Sequence, residues 1–384
     1  MQYVDFGKTG AKVSRLGMGC MRLPSYDNDG KTIFDEEKGI ALIRRAMELG
    51  VNYFDTAPYY CDKQSEVILG KALKGGRREK VFVSTKNPIE NDSGDDYEKR
   101  LETSLKQLDT SYIDFYHFWG ISLKTFLEKV KAKDGPLERV QKLKAQGIVR
   151  HISFSFHDGD AGEKEGDNLK EILKIGEGIL ESVLCQYNVM DRNKEGGIAL
   201  AHQMGLGTVI MGPVGGGRLG APSKVIMDLL PGKFRSSAEL ALRFVLANKN
   251  VDIALSGMSN TEQLEENAAV AGNTTPLSAA ELEQIEAMMK ENERLAGLYC
   301  TGCKYCMPCP NGVNIPEIFT IMNYHRVYQI TEFAKGAYAE IGKVPWRQFG
   351  NAASCVECGE CEKKCPQGIP IIEQLKETHR VLAG

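Results

Sequence analysis

Residues 36–56 read EEKGIALIRRAMELGVNYFDT. The first part predicts a helix over Glu36–Leu49, because its apolar residues recur near the i, i+3 and i+7 spacing that places them on one face. The predicted buried stripe consists of Ile40, Ile43, Ala46 and Met47. The next segment, Asn52–Thr56, is apolar and predicts a buried strand. A helix followed directly by a buried strand is the repeating unit of an α/β fold.

The same alternation continues from residue 16 to about residue 258. The strand candidates are Leu16–Cys20, Asn52–Thr56, Val81–Lys86, Ile113–Trp119, His151–Phe156, Val183–Tyr187, Thr208–Gly212 and Ile253–Gly257. Helical periodicity lies between them, as in Glu36–Leu49, Ser65–Leu73, Tyr97–Leu108, Leu137–Gln146 and Ala238–Ala247. Eight strands that alternate with helices over roughly 250 residues predict a closed (β/α)8 TIM barrel.

An open doubly wound sheet is the alternative α/β architecture. Such a sheet usually carries the glycine pattern GxGxxG directly after its first strand. Residues 17–24 read GMGCMRLP at that place, and they do not fit the pattern. The barrel is therefore the favoured fold.

Two further elements frame the predicted barrel. Residues 2–15 predict a short hairpin with its turn at Lys8–Gly10, which would plug the N-terminal mouth of the barrel. Residues 277–295 predict a final amphipathic helix, with Ser278 as N-cap and Glu281 completing a capping box. We therefore expect a barrel domain over residues 1–295.

The remaining residues, 296–384, contain two tight runs of cysteines. The runs are Cys300, Cys303, Cys306 and Cys309, and Cys355, Cys358, Cys361 and Cys365. The second run has the C-x2-C-x2-C-x3-C-P spacing of bacterial ferredoxins, in which three thiolates bind one cluster and the fourth binds the other. These runs predict two [4Fe–4S] clusters and hence transfer of single electrons.

Zinc is the alternative ligand for these cysteines, although zinc sites usually place two CxxC pairs at a longer separation. A disulfide framework is typical of small secreted domains and fits less well. Between the runs, Ile315–Val327 and Ile330–Ile341 predict helices. The C-terminal part is thus expected to be a small, mainly helical, ferredoxin-like iron–sulfur domain.

The composition excludes several classes of protein. The net charge is −3 and 42% of residues are hydrophobic, so the chain has no basic field suited to nucleic acid. No run of about 18 apolar residues could span a membrane. The N-terminal MQYVDFGKTG does not resemble a signal peptide, and Cys20, Cys61 and Cys185 are expected to be reduced. These features predict a cytoplasmic protein.

Polar residues follow two neighbouring predicted strands where catalytic groups of such barrels lie. Asp55 ends the second strand, Tyr60 follows it, and Lys86 ends the third. The carboxylate and the ammonium are expected to pair. A tyrosine held against that lysine is expected to have a lowered phenol pKa and to be a usable proton donor. A purely structural buried ion pair is the alternative.

At these residues the chain resembles the aldo-keto reductase superfamily. The matching motifs are FDTAPYY (residues 54–60), SEVILGKAL (65–73), VSTK (83–86), QYN (186–188), GPVGGGRL (212–219) and LSGMSNTEQLEEN (255–267). With its cysteine domain, the chain is similar to the ferredoxin-tailed branch of that superfamily. The resemblance implies that Tyr60 is the general acid and that Lys86 and Asp55 tune it.

The chain departs from the family at the residue that ends the fourth strand, where a catalytic histidine is usual. Trp119 stands there, and its indole N–H donates only a weak hydrogen bond. His117 lies two residues earlier and faces the same side, either as a core histidine or as a replacement catalyst. His157 follows the fifth strand. We expect Trp119 and His157 to contact the substrate.

The resemblance also implies a nicotinamide site at the ends of the last three strands. Gln186 and Asn188 are expected to bind the carboxamide, while Met211 replaces a stacking aromatic ring. The remaining cofactor-binding candidates are Gly212, Gly215, Gly216, Gly217, Arg218, Ser259, Gln263, Glu266 and Asn267. Gly257 and Gln263 occupy the places where members that prefer NADP carry a lysine and an arginine. The resemblance therefore implies NADH or NADPH, with NADH favoured.

These observations predict an oxidoreductase that acts on a carbonyl or an activated C=C bond of a small molecule, in either direction. Electrons would come from NAD(P)H or through the clusters from a ferredoxin-like donor. One alternative is a catalytically silent barrel that senses redox state or docks electron-transfer partners. Another is that the clusters are structural.

Overall fold

The computed structural model of the 384-residue chain describes residues 1–28, 31–90, 93–157, 164–215, 234–273, 275–297, 300, 305–344, 347–365 and 368–384. Two compact units are present. The first comprises residues 1–215 and 241–277, and the second includes residues 234–240 and 278–384.

A closed barrel of parallel strands forms the centre of the first unit, so the predicted barrel is confirmed. Its strands are β3 (Leu16–Gly19), β6 (Tyr53–Asp55), β7 (Phe82–Pro88), β8 (Ile113–Ile121), β9 (Val149–Phe156), β10 (Ser182–Gln186), β11 (Gly207–Met211) and β12 (Ile253–Gly257). They close in the order β10-β11-β12-β3-β6-β7-β8-β9. Each predicted strand agrees with the observed one to within two residues at either end, because these strands are buried on both faces and rich in apolar residues.

A helix follows each barrel strand in the described part of the chain. These helices are α1 (Glu36–Glu48), α2 (Ser65–Ala72), α3 (Gly94–Leu108), α4 (Pro136–Ala145), α5 (Lys164–Ile175), α6 (Glu195–Met204), α7 (Ser237–Ala247) and α8 (Thr261–Gly272). The buried stripe of α1 is rotated from the predicted one. Gly39 and Leu42 are buried with Ile43 and Ala46, whereas Ile40 and Met47 are half-buried. Gly39 lets α1 pack closely on α2, since a Cβ atom there would lie 3.1 Å from the Ile68 side chain.

The predicted N-terminal hairpin is confirmed. Strands β1 (Tyr3–Asp5) and β2 (Lys12–Ser14) are antiparallel. Between them, Phe6 is fully buried and packs edge-on against Tyr53 and Phe115 of the barrel, with ring centroids 5.8 and 5.0 Å apart. Gly207 leaves room for this ring, because a Cβ atom there would lie 2.5 Å from it. The hairpin therefore fills the N-terminal end of the barrel.

We expect Phe6→Ala to lower the free energy of unfolding by about 3–5 kcal/mol, because it removes a fully buried aromatic ring and leaves a cavity. Urea unfolding followed by circular dichroism measures this change. Lys12→Ala, an exposed position on β2, is the matched control and should stay within about 0.5 kcal/mol of the wild type. A Phe6→Ala protein as stable as this control would contradict the assigned plug.

A second hairpin, β4 (Ser25–Asn28) with β5 (Lys31–Phe34), was not predicted from the sequence. Its residues are mostly polar, and Tyr26 is exposed. Such a strand pair lacks the alternation of apolar and polar residues that identifies a half-buried strand.

The second unit is mainly helical, as predicted for the C-terminal part, and it includes the helix that was predicted as the last one of the barrel domain. Its helices are α9 (Ala279–Gly297), α10 (Ile315–Arg326), α11 (Thr331–Ala339), α12 (Glu360–Lys364) and α13 (Ile371–Leu382). At the start of α9, the Ser278 N–H donates to Glu281 (2.7 Å) and the Glu281 N–H donates to the Ser278 hydroxyl (3.3 Å), so the predicted capping box is present. An apolar core joins α10, α11 and α13, and several of the cysteines pack against it. Among the described residues, no helix is long and apolar enough to cross a membrane.

Candidate functional site

Asp55 and Lys86 form a buried ion pair at the C-terminal ends of adjacent barrel strands, β6 and β7. Each residue is 2% exposed. The Lys86 Nζ lies 2.5 Å from the Asp55 Oδ1 and also donates to the Thr56 carbonyl (2.8 Å). The predicted pairing of these two side chains is therefore present. A buried pair of this kind persists because each charge offsets the desolvation cost of the other.

Tyr60 lies in the turn between β6 and α2 and faces the same ion pair. The Lys86 Nζ is 4.7 Å from the centre of the Tyr60 ring. After Tyr60, the residues Cys61, Asp62 and Lys63 all have left-handed backbone conformations, with φ of 52°, 52° and 66°. Consecutive non-glycine residues in this region are strained, and such strain is concentrated at functional sites. This turn sets the position of the phenol.

Burial changes the expected protonation of the phenol. It raises the pKa of Tyr60 above its ordinary value, although the nearby Lys86 ammonium lowers it in part. The prediction of a lowered phenol pKa is therefore wrong, because desolvation outweighs the lysine. Burial also lowers the pKa of Lys86, but Asp55 and Tyr60 together outweigh that effect and leave it raised. At neutral pH the site thus holds a protonated phenol beside a protonated amine.

Two further residues, Ser84 and His117, contact this group. The sequence had indicated no role for Ser84. The Ser84 hydroxyl donates to the Asp55 Oδ2 (2.7 Å) and lies 2.8 Å from the His117 Nε2. His117 is fully buried, and burial lowers its pKa to about 4. Ser84 precedes Lys86 by two residues, so strand alternation places both side chains on one face. That alternation was the signal available in the sequence.

Trp119, at the place of the usual histidine, borders the phenol. Its ring lies edge-on to Tyr60, with centroids 5.7 Å apart, and 5.4 Å from the exposed Tyr59. The structure therefore brings Trp119 to the same site as the three catalytic candidates, and its contact with a substrate stays a prediction.

His157 lies just beyond β9, where solvent reaches its side chain. Surrounding protein atoms, together with the positive charges of Lys194 and Lys86, lower its pKa to about 4. The ring is therefore neutral at pH 7. The influence of Lys86 indicates that His157 is near the catalytic candidates, and its predicted substrate contact stays a prediction.

The carboxamide-binding candidates are held by local hydrogen bonds. The Gln186 Nε2 donates to Asp191 (2.6 Å), and the Asn188 Nδ2 donates to the Gly212 carbonyl (3.0 Å). Met211 is the register partner of Gln186 on β11 and is half-buried. These bonds orient both amides at the C-terminal rim of the barrel, and their contact with a nicotinamide stays a prediction.

The glycine-rich loop begins with a tight turn directly after β11. The Gly215 N–H donates to the Gly212 carbonyl (2.8 Å), and both glycines have left-handed φ values of about 60°. Such a turn is accessible to glycine at little cost. The other three candidates in this loop, Gly216, Gly217 and Arg218, lie outside the described residues.

The start of α8 is exposed beside the end of β12. Asn260 caps the helix by accepting from the Gln263 N–H (2.9 Å), and the Gln263 side chain accepts from the Ser259 N–H (2.9 Å). Glu266 is exposed, while Asn267 is buried and donates to Ser256 (3.1 Å). Exposed backbone N–H groups at a helix start suit an anion such as a pyrophosphate.

An open groove adjoins this helix start. Lys38 and Arg45 of α1 line it together with Ser259. Both cations have acidic partners, since Lys38 is 3.0 Å from Asp35 and Arg45 is 2.8 Å from Glu265. These cations come from a different element than the family's lysine and arginine, so the sequence motif could not indicate them.

Four cysteines line one small cavity in the second unit. They are Cys309, Cys355, Cys358 and Cys361. Three belong to the second run and one is the last of the first run, which is the crossed arrangement that the spacing predicts. The Asn311 side chain also approaches the Cys358 sulfur (3.9 Å). This set of four thiols fits an iron–sulfur cluster.

Among the residues that the structure describes, no three potential ligands converge closely enough to hold a single metal ion. Cys300, Cys306 and Cys365 pack against the same apolar core. Cys303 lies outside the described residues. No disulfide links any two of the described cysteines.

Comparison with known families adds two matches. The model of the Aldo/keto reductase family matches residues 15–290. The model of the 4Fe-4S dicluster domain matches residues 299–369.

Several known proteins are similar to the barrel part of the chain. L-galactose dehydrogenase of Arabidopsis thaliana is 29% identical over 75% of this chain and 94% of its own length. NADH-specific methylglyoxal reductase of Escherichia coli is 26% identical over 77% of this chain and 100% of its own. Among solved structures, the holo form of aldo-keto reductase AKR11C1 from Bacillus halodurans is 29% identical, with a TM-score of 0.62, over 75% of this chain and 96% of that one.

Proposed function

The chain belongs to the aldo/keto reductase family, and from this premise we propose that it is a nicotinamide-dependent oxidoreductase in which Tyr60 is the proton donor. The observation that carries the proposal is the buried Asp55–Lys86 pair at 2.5 Å, with Tyr60 next to its ammonium. A phenol, an amine and a carboxylate so arranged can hold a proton at one oxygen and release it to a bound substrate.

Each member of the trio has a separate role in this proposal. The Tyr60 phenol stays protonated at neutral pH because burial raises its pKa, so it can donate to a substrate oxygen. The Lys86 ammonium stabilises the phenolate that donation leaves behind. Asp55 keeps Lys86 charged inside the barrel, since an unpaired buried ammonium would tend to lose its proton.

We propose that the nicotinamide lies at the ends of β10 to β12. When bound, NAD(P)H supplies a hydride. The side chains of Gln186 and Asn188 would orient the carboxamide, and the start of α8 with the Gly212–Gly215 turn would hold the pyrophosphate. We favour NADH, because Gly257 and Gln263 give a 2′-phosphate no charged partner and Lys38 and Arg45 already pair with carboxylates. The name of the Escherichia coli relative, which is NADH-specific, supports this choice.

The substrate is proposed to be a small molecule with a carbonyl group. Trp119 lies beside Tyr60 at the place of the usual histidine. The Tyr60 phenol is therefore the proposed acid, with no imidazole at that place. An activated C=C bond, which needs a proton on carbon and no imidazole at that place, is therefore the second candidate. We propose that Trp119 and His157 contact either substrate.

For the C-terminal domain, placed at residues 296–384, we propose two [4Fe–4S] clusters. Cys309, Cys355, Cys358 and Cys361 would hold one, and Cys300, Cys303, Cys306 and Cys365 the other. Such clusters store and pass single electrons, so a ferredoxin-like protein is a fitting partner. We further propose that the protein works in the cytoplasm, where its thiols stay reduced.

Turnover of a panel of aldehydes, ketones and enones with NADH and with NADPH, under anaerobic conditions, tests this function. We expect saturable nicotinamide binding by fluorescence and oxidation of NADH in the presence of at least one substrate class. A barrel that binds neither nucleotide would be catalytically silent and would refute the proposal.

The pH dependence of reduction follows from the raised pKa of Tyr60. A donor must be protonated, so its activity is present below its pKa and is lost as the pH rises through it. Because the folded pKa lies above the ordinary value of about 10, Tyr60 should cause no loss of kcat for reduction between about pH 7 and about pH 9. A pH profile of kcat measures this. A decline with a midpoint near pH 8 that disappears in Tyr60→Phe would contradict it.

A further inference from the structure

Ser84 and His117 extend the buried ion pair away from the substrate side. Ser84 on β7 is the register partner of Asp55 on β6. Lys86, also on β7, is the register partner of His117 on β8. All four side chains are buried. The chain of contacts runs from the His117 Nε2 to the Ser84 Oγ (2.8 Å), then to the Asp55 Oδ2 (2.7 Å). The other Asp55 oxygen accepts from Lys86.

Hydrogen counting fixes the direction of these bonds. An ionised carboxylate can only accept, so the single Ser84 hydrogen is donated to Asp55. The Ser84 oxygen must then accept from His117, which requires the proton to be on Nε2. The histidine has to be neutral to fit this role, since a second positive charge would compete with Lys86 for Asp55. Burial, which lowers the pKa of His117 to about 4, meets that requirement.

We propose that Ser84 and His117 are positioning residues: a neutral imidazole donates to the Ser84 hydroxyl, which donates to the outer oxygen of Asp55 and so holds Lys86 against Tyr60. This inference rests on the proposed function of Tyr60 and Lys86. His117 is neither a replacement for the usual catalytic histidine nor a substrate contact, since it lies on the far side of the carboxylate. Its effect on the reaction is indirect, because it changes how much of the Asp55 negative charge is compensated by hydrogen bonds.

Several charged, titratable or polar groups face this chain in the described residues. Asp55, Lys86 and the Phe154 carbonyl face His117, and the buried Tyr53 hydroxyl faces Ser84 and Asp55. Lys86, Asp55 and the buried Cys20 thiol face Tyr60, while Glu66 and His157 face Lys86. Ser84→Ala removes the donor to Asp55, and His117→Leu removes the bond that polarises this donor, so each leaves more of the Asp55 negative charge uncompensated. That charge disfavours the Tyr60 phenolate, so the midpoint at which the phenolate forms should move to higher pH.

The test compares His117→Leu, Ser84→Ala and His117→Gln in the holoprotein. We expect His117→Leu and Ser84→Ala to lower kcat by about ten-fold or more with KM unchanged, because each removes a buried hydrogen bond to a charged system. In the oxidation direction, where the phenolate is the base, their pH profiles should shift upward. His117→Gln, whose amide can still donate, should restore both. If all three variants lose the same factor in kcat and the pH profile of oxidation does not shift, Ser84 and His117 have a merely structural role and the proposal is overturned. Wild-type kinetics in His117→Leu would also overturn it.

A second measurement needs no turnover and separates this inference from the proposed function. Nitrogen-15 NMR of the six histidines should show one buried neutral ring protonated on Nε2, which does not titrate between about pH 5 and about pH 9 and whose signal moves in Ser84→Ala. Assignment by His117→Gln identifies it. A ring protonated on Nδ1, or one that titrates near pH 6.5, overturns the inference even if Tyr60 is the proton donor. If no substrate is turned over, the proposed function fails, but the NMR result still decides whether His117 is protonated on Nε2 and bonded to Ser84.

Discussion

Tyr60→Phe is expected to lower kcat by about 10²- to 10⁴-fold, the usual contribution of a positioned general acid. The substitution removes one oxygen and keeps the ring that packs edge-on against Trp119. Nicotinamide affinity should therefore stay unchanged, because the cofactor candidates lie at the ends of other strands. Steady-state kinetics with the best substrate of the panel, together with a fluorescence titration of NADH, measures both quantities.

Tyr59→Phe is the matched control for this experiment. Tyr59 is the neighbouring residue, is 49% exposed, and donates its hydroxyl to Glu90 (2.6 Å) rather than to the ion pair. It should keep kcat within about three-fold of the wild type. If Tyr60→Phe behaves like Tyr59→Phe, then another group donates the proton, and His157 would be the first to examine.

The second large effect concerns the iron content. The holoprotein should contain roughly eight iron atoms per chain, and Cys355→Ser should remove about half of them. Because Cys309 lines the same cavity as Cys355, Cys309→Ser should remove the same cluster. The double variant should then lose no more iron than either single one. Iron analysis and EPR spectra of the reduced protein measure this.

Two controls sharpen this prediction. Cys185→Ala removes a buried thiol of the barrel and should leave the iron content unchanged. Cys306→Ser should remove the other cluster, so its EPR spectrum should differ from that of Cys355→Ser. If Cys309→Ser and Cys306→Ser instead lose the same cluster, each run would bind its own cluster and the crossed assignment would be wrong.

The barrel was predictable from the sequence because its strands are buried on both faces and separated by amphipathic helices. The run Ile253–Gly257, for example, was predicted with its observed ends. The hairpin β4–β5 was not predictable, since polar residues such as Ser25 and Asp27 give no periodic signal. The stripe of α1 was misplaced by one position because close packing at Gly39 brings Leu42 inward, a consequence of tertiary contacts.

The catalytic candidates were predictable as residue types at strand ends, but their electrostatics were not. The sequence indicated that Lys86 would lower the phenol pKa, whereas the depth of burial around Tyr60 decides the direction. Likewise, the VSTK motif contains Ser84 but indicated no role for it, since the proposed role depends on a 2.7 Å contact between two strands. Sequence patterns indicate which residues lie close together, whereas packing determines how strongly they are desolvated and hence the direction of the Tyr60 pKa shift.

Deuterium transfer tests most directly whether the nicotinamide supplies the hydride. The holoprotein would turn over the best substrate with NADH that carries deuterium at C4, first on one face of the ring and then on the other. We expect the reduced carbon of the product to acquire one deuterium from only one of the two labels, and Tyr60→Phe to form this labelled product about 10²- to 10⁴-fold more slowly. A product that forms without deuterium from either label would contradict it, because its electrons would not have come from the nicotinamide.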